Sequence, residues 1–263
     1  MKKYLFILKT ELMSSLQYIF NILVGFISYF IHIFIFMNLW KYIYNDPSEL
    51  INGYSMNEMI WYVIITEILW SVVGGRKLCR KISNDVKNGN IAYNINKPYS
   101  YIGYALFSHL GEVTTKFIIY TTLGLTLGFI FLKSFPTFNI LSIIGVLITS
   151  ILAIMIDTLF ITFIGLFSFT IEDSGPFYWV YSKLILIFGT MFPIELFPKI
   201  IEPIIKYSPI VAISYGPAKL FVDFTLNNFI KIFILQIIYL IIAYSLCSLI
   251  YKKGVKKLNV NGG

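Results

Sequence analysis

Residues 76–100 read RKLCRKISNDVKNGNIAYNINKPYS. This is the longest polar run in an otherwise apolar chain. It sets Arg76, Lys77, Arg80, Lys81, Lys87 and Lys97 against one acid, Asp85. Apolar segments long enough to cross a bilayer lie on both sides of it. A basic loop between two spans belongs on the cytoplasmic side, so this stretch orients everything around it.

Composition points the same way. The 263 residues are 57% hydrophobic and 18% aromatic, with 13% charged, and the mean hydropathy is +0.77. A soluble domain carries about 25% charged residues, so this chain has too little polar surface to cover itself in water. Several apolar runs exceed the roughly 18 residues that mark a membrane helix. Strict alternation over ten-residue blocks is absent, which argues against an outer-membrane barrel. The reading is an all-α polytopic membrane protein. The net charge of +8 would also suit nucleic acid, but the basic residues sit at span ends and in one loop, so no nucleic-acid partner is expected. Cys79 and Cys247 give neither a disulfide framework nor metal-ligand spacing.

Working outward from the loop, residues 1–14 are basic and mixed. Tyr4, Leu5, Leu8 and Leu12 can share one face of a helix lying in the cytoplasmic interface. No small-residue cleavage site follows, so a signal peptide is not expected. Span 1 covers about residues 17–40, and Trp40, Tyr42 and Tyr44 form an aromatic belt at the far interface. The outer loop 41–57 holds Asp46, Pro47 and Glu49. Span 2 covers about 59–73 and ends at Gly74 and Gly75. Span 3 covers 101–132, with an outer turn at Lys133 and Pro136, and span 4 covers 140–169. Glu172, Asp173, Ser174, Gly175 and Pro176 make a short return turn. Span 5 covers about 177–192. Pro193, Pro198, Pro203 and Pro209 then break any spanning helix, which predicts an outer re-entrant hairpin over 192–223 ending in short interfacial helices. Span 6 covers about 228–250, and Lys252, Lys253, Lys256 and Lys257 anchor the tail 252–263.

Of the 21 basic residues, thirteen fall on the inner side: Lys2, Lys3, Lys9, the six of the basic loop and the four of the tail. Six fall outside: Lys41, Lys133, Lys199, Lys206, Lys219 and Lys231. One transmembrane domain over residues 1–263, with six transmembrane helices and both termini cytoplasmic, follows. There is no internal repeat, so an inverted-repeat carrier has no support in the sequence.

Within the loop, Gly89 can cap a helix over 76–87, and Pro98 sets the entry to span 3. Such an elbow is a good docking surface; the plainer alternative is a solvated anchor. The order Asp85, Gly89, Ile91, Ala92, Lys97, Pro98 (an acid, a glycine, apolar residues, a basic–Pro pair) resembles the permease subunits of ABC-2 type ATP-binding-cassette transporters. FPIELFP at 192–198 and YSPIVAISYGPAKLF at 207–221 are similar to the outer re-entrant region of that family. The resemblance implies a cytoplasmic coupling helix between spans 2 and 3, set into a groove of a separate ATP-binding subunit, with Asp85, Gly89, Lys97 and Pro98 carrying the coupling. It implies a second permease subunit, as a homodimer or heterodimer, in a bacterial cytoplasmic membrane. It further implies export of a drug, peptide or lipid-like substrate, with ATP and Mg bound by the partner. This chain has no Gly-x-x-x-x-Gly-Lys-Ser/Thr loop, so it is expected to hold no cofactor and to be no enzyme.

Four acids lie at membrane depth: Glu67, Glu112, Asp157 and Glu195, with Glu67 and Asp157 deepest. A carboxylate in hydrocarbon must face a cavity, a partner helix or the interface. Glu67 and Asp157 are therefore candidates for a translocation path, and an ion- or proton-coupled carrier using them is the competing function. The commoner role is an interhelical pair, here with Lys116 or Lys183. His32 and His109 sit on different spans with no acid or cysteine at ligand spacing, so no metal site is expected. A membrane scaffold without transport is the third alternative.

Overall fold

The computed structural model describes residues 2–44, 46, 48–95, 97–171 and 173–261. Met1, Pro47, Glu172 and the last two tail residues, all part of segments assigned above, lie outside the described residues, as does the Lys257 side chain. Helices account for most of the rest, and the described residues contain no strand beyond one isolated bridge between Ile51 and Tyr54. In chain order the helices are α1 (Lys2–Leu16), α2 (Ile19–Ile43), α3 (Met56–Val73), α4 (Gly75–Lys87), α5 (Asn90–Ile95), α6 (Tyr101–Leu132), α7 (Ile140–Leu166), α8 (Gly175–Ile185), α9 (Glu202–Lys206), α10 (Gly216–Val222) and α11 (Leu226–Asn261).

The helix starts follow from local chemistry. Ser55 and Glu58 form a reciprocal capping box at the start of α3, and Asn139 and Ser142 do the same for α7. The Ser100 side chain accepts the Gly103 N–H at 3.1 Å to open α6. Each cap satisfies N–H groups that have no partner within the helix.

Helix α3 is the axis of the fold. Residues 59–69 are buried without exception, as suits a helix apolar all round. It packs against α2, α6, α7 and α10. Close approach to α6 depends on two glycines one turn apart. A Cβ at Gly128 would lie 2.4 Å from the Trp61 ring, and one at Gly124 would lie 3.0 Å from the Ile68 side chain. Small residues at that spacing let two membrane helices touch backbone to side chain.

Among the described residues, five helices are long and apolar enough to cross a membrane: Ile19–Ile43, Met56–Lys87 (α3 continued by α4), Tyr101–Leu132, Ile140–Phe169 and Leu226–Lys256. The expected fifth span does not form as one such helix. Eleven residues of α8 run directly into a six-residue π-helical turn, Leu186–Met191. Residues 175–191 together reach about 25 Å at 1.5 Å per residue, short of a hydrocarbon core about 30 Å thick. The wider turn leaves carbonyls aimed sideways. The Tyr62 hydroxyl donates to the Gly189 carbonyl at 2.8 Å, and the Thr66 hydroxyl to the Thr190 carbonyl at 3.0 Å.

One further expectation is corrected. The segment Val211–Val222 is not a surface interfacial helix. Its residues Ala212, Ser214, Ala218 and Leu220 are buried, and it wedges between α3, α7 and α11. The Gln236 amide donates to the Ala212 carbonyl at 2.9 Å, meeting the demand of a second π-helical turn, Val211–Tyr215. Beyond it, α11 continues through Lys252, Lys253 and Lys256 without a break, so the start of the tail is helical.

Candidate functional site

The basic stretch folds as a helix–turn–helix elbow. Gly74 adopts φ +56, a left-handed conformation that glycine takes without strain, and the chain turns there from α3 into α4. Along α4, Leu78, Cys79, Ile82, Ser83 and Val86 are buried, the spacing of one helical face. That face lies on α7 and the turn after it. A Cβ at Gly165 would sit 2.9 Å from Ile82, and Ser83 bonds Ser168 at 2.6 Å. The opposite face exposes Arg76, Lys77, Arg80, Lys81, Asn84 and Lys87.

The turn after α4 is made by Gly89, at φ +71 with nothing within 4 Å of a would-be Cβ. Its N–H reaches the Val86 carbonyl at 3.3 Å, and its carbonyl accepts the Ala92 N–H at 2.9 Å to start α5. Ile91 is fully buried and anchors α5, whereas Tyr93 is 80% exposed. The sequence reading treats 90–95 as loop. Its cue for a helix was weak, since Asn90, Tyr93 and Asn94 are poor helix formers.

Of the residues given coupling roles by resemblance, Asp85 is half-buried and accepts the Tyr101 hydroxyl at 2.9 Å. Tyr101 stacks on Tyr251 with ring centroids 5.7 Å apart, so Asp85 ties α4 to α6 and α11. Pro98 accepts the Lys3 ammonium at its carbonyl, which ties the end of the elbow to α1. Lys97 and Gly89 are exposed. The Lys97 ammonium lies over the Tyr99 ring, 5.7 Å from its centroid, and the Tyr99 hydroxyl raises its pKa.

Helix α1 is part of this assembly. Tyr4, Ile7, Leu8, Glu11, Leu12 and Ser15 form its less exposed stripe. Leu5, expected on that face, is instead 56% exposed. The stripe meets α6 at small and polar residues. Glu11 accepts the Ser108 hydroxyl at 2.9 Å, Ser15 bonds Thr115 at 2.6 Å, and a Cβ at Gly111 would fall 2.4 Å from the Leu8 carbonyl oxygen. The Tyr4 hydroxyl accepts the Ser100 N–H at 3.0 Å. These contacts were invisible in the sequence because apolar periodicity does not report Gly, Ser and Thr as a helix interface.

The four acids are held apart, each with its own partner. Glu67 on α3 is wholly buried, and His32 Nδ1 of α2 lies 3.5 Å from Oε2. Among the described residues neither Glu67 oxygen has a hydrogen bond, so the contact with His32 is one of proximity. Asp157 on α7 accepts the Tyr181 hydroxyl at 2.6 Å. Glu112 pairs with Lys77 at 2.5 Å. Glu195 accepts the Tyr215 hydroxyl at 2.6 Å and lies 4.0 Å from Lys219. The expected partners Lys116 and Lys183 form no ion pair among the described residues. His32 thus has an acid neighbour that chain spacing did not reveal. His109 is buried, with its ring nitrogens 2.8 Å from the Val73 carbonyl and 3.0 Å from Thr158 Oγ1.

A family model described as "ABC-2 family transporter protein" matches residues 27–262. No curated protein matches the chain. The match runs from α2 through α11 and takes in the α4–α5 elbow, the buried acids and the broken segment after α8. The chain belongs to the ABC-2 family of transporter membrane proteins.

Proposed function

We propose that this chain is the permease subunit of an ATP-driven exporter, energised by a separate ATP-binding subunit that docks on the α4–α5 elbow. The observation that carries this reading is the two-faced α4. Its apolar face is fixed to α7, and its basic face is turned outward at one end of the bundle. A surface that moves with α3, α6 and α7 can transmit a push from a soluble partner into the spanning helices. Asp85 and Pro98 serve as positioning residues, through Tyr101 and Lys3. Gly89 supplies the turn, and Lys97 joins the exposed cations. In this reading residues 175–191, despite their short reach, act as the fifth of six spans, both termini are cytoplasmic, and ATP and Mg reside on the partner. The apolar exposed side of α2, with Phe20, Val24, Ile27, Ile31 and Ile35, faces lipid or a second permease subunit. The cargo is a drug, a peptide or a lipid-like molecule in a bacterial plasma membrane.

The test is gentle extraction of the tagged chain and identification of what co-purifies. A P-loop ATPase should be captured, and Lys87→Glu with Lys97→Glu, both on exposed side chains, should lose it. Recovery of the chain alone across several mild detergents would end this reading. Point variants are preferable to deleting residues 85–97, because deletion removes buried Val86 and Ile91.

One observation favours a gradient-driven carrier instead, namely the buried Glu67 carboxylate, which has no hydrogen bond among the described residues. That carrier would move substrate with no ATPase present and would stop on Glu67→Gln or Asp157→Asn. Flux that survives both changes eliminates it.

A further inference from the structure

The molecule holds a cleft of about 760 Å³ at the corner where α3 passes into α4, walled by α4, α6 and α8. This lies within the roughly 300–1,000 Å³ range of small-ligand sites. Its charge is one-sided. Arg76 and Arg80 come from α4, Lys116 from α6 and Lys183 from α8. The acid among the lining residues is Glu112, already engaged by Lys77 at 2.5 Å. Lys81 of α4 also lines the cleft, and none of these five cations has an acid within salt-bridge reach among the described residues.

The depth of these cations is informative. Lys116 belongs to the spanning helix α6, yet its ammonium lies 3.5 Å from where a Cβ on Gly74 would be, at the end of α3. The side chain therefore extends along the helix toward the corner, as lysines do when they carry charge from a span to the interface. Trp70 and Trp179 line the same cleft, and tryptophan marks the headgroup level of a bilayer. Beside it, α8 presents Trp179, Val180 and Leu184, and the π-helical turn after it Ile187, as exposed apolar side chains. Cations at headgroup level, next to an uncovered apolar helix face, match an amphiphile better than a free anion.

We propose that this cleft binds the headgroup of an anionic phospholipid, its phosphate among Arg76, Arg80, Lys116 and Lys183 and its acyl chains along α8. Basic pockets between membrane helices take such headgroups by charge, and each lysine near the surface contributes to the attraction. The proposal rests on the placement of α4 at the inner membrane surface given above. A lipid seated there touches α3, α4, α6 and α8 together, so it would set the angle of the elbow.

The test uses the full chain in phosphatidylcholine nanodiscs, with tryptophan fluorescence as the readout. Brominated phosphatidylglycerol should quench more than brominated phosphatidylcholine at equal mole fraction. The excess should vanish in Trp70→Phe/Trp179→Phe. In Lys116→Gln/Lys183→Gln the preference should fall about fivefold for each charge removed, and Lys116→Arg/Lys183→Arg should restore it. Equal quenching by the two lipids overturns the proposal. So does a loss that the arginine variants share, since that would track packing rather than charge. Reversal of the quenching by glycerol 3-phosphate or inorganic phosphate in the buffer marks a soluble-anion site and overturns the lipid assignment. Capture of the ATPase on the same preparations separates the two readings. Lipid preference without capture counts against the docking surface alone, and capture without lipid preference counts against the lipid site alone.

Discussion

Replacing Gly89 with alanine isolates the geometry of the elbow from its chemistry. Gly89 has φ +71, and a Cβ there meets nothing within 4 Å. The substitution therefore introduces no clash, and its whole effect is the strain of a side chain in the left-handed region, about 1–2 kcal/mol. The α4–α5 turn can relieve that strain by rotating out of its native form, because Gly89 is exposed and the short α5 is anchored chiefly by Ile91. Strain of that size shifts a two-state balance by about 5–30-fold. If docking requires the native turn, the apparent affinity for the ATPase drops by up to that factor, while helix packing and membrane insertion stay intact. Gly89→Asn is the paired control, since asparagine visits the left-handed region far more readily; it should recover most of the loss. The assay is titration of the purified ATPase onto nanodisc-embedded variants, with thermal stability recorded in parallel. Binding by Gly89→Ala equal to wild type would refute the reasoning, as would an asparagine variant as impaired as the alanine one.

Other perturbations probe separate links. Gly111→Ala forces a Cβ to within 2.4 Å of the Leu8 carbonyl oxygen, and overpacking of this kind costs about 1–3 kcal/mol. Helix α1 should lift from α6, and trypsin should cut at Lys9 faster than in wild type; unchanged cleavage would argue against the close α1–α6 seat. Tyr93→Ala removes an exposed aromatic from the elbow without touching its core, so ATPase affinity should fall by about tenfold or more if Tyr93 is a docking hot spot, with no change in melting temperature. Tyr62→Phe strips the hydroxyl from the Gly189 carbonyl and should cost about 1–3 kcal/mol for an unmet buried group. A thermal melt of the detergent-solubilised protein reads it, and an unshifted melt would show that the π-helical turn needs no partner.

The long apolar runs and the basic loop were readable because each follows from a single rule. Apolar length gave helices at 101–132 and 140–169, and the run of cations with Gly89 gave α4 and its stop. What the sequence left hidden depends on packing. The π-helical turn at Leu186–Met191 exists because Tyr62 and Thr66 on α3 can satisfy its carbonyls, and no local signal in residues 177–192 reveals those donors. Burial of Val211–Val222 was likewise concealed, since prolines at 203 and 209 read as a surface loop until Gln236 supplies the missing hydrogen bonds. The partners of the acids come from helices distant in sequence: His32 for Glu67, Tyr181 for Asp157 and Lys77 for Glu112. The docking of α1 on α6 rests on Gly103, Gly111, Ser108 and Thr115, residues that a hydropathy pattern ignores. Asp85 was singled out by resemblance, and its bond to Tyr101 gives it a physical task in holding the elbow against α6.

The central claim, that the α4–α5 elbow is the surface on which an ATPase acts, is tested most directly by site-specific photocrosslinking in native membranes. A photoreactive residue is placed at Lys87 or Tyr93, both exposed on the elbow, and a control at Lys199, on the segment between α8 and α9. The account predicts a crosslink to a P-loop ATPase from positions 87 and 93 and none from 199. Absence of that crosslink from both elbow positions, or its appearance from 199, would contradict the account.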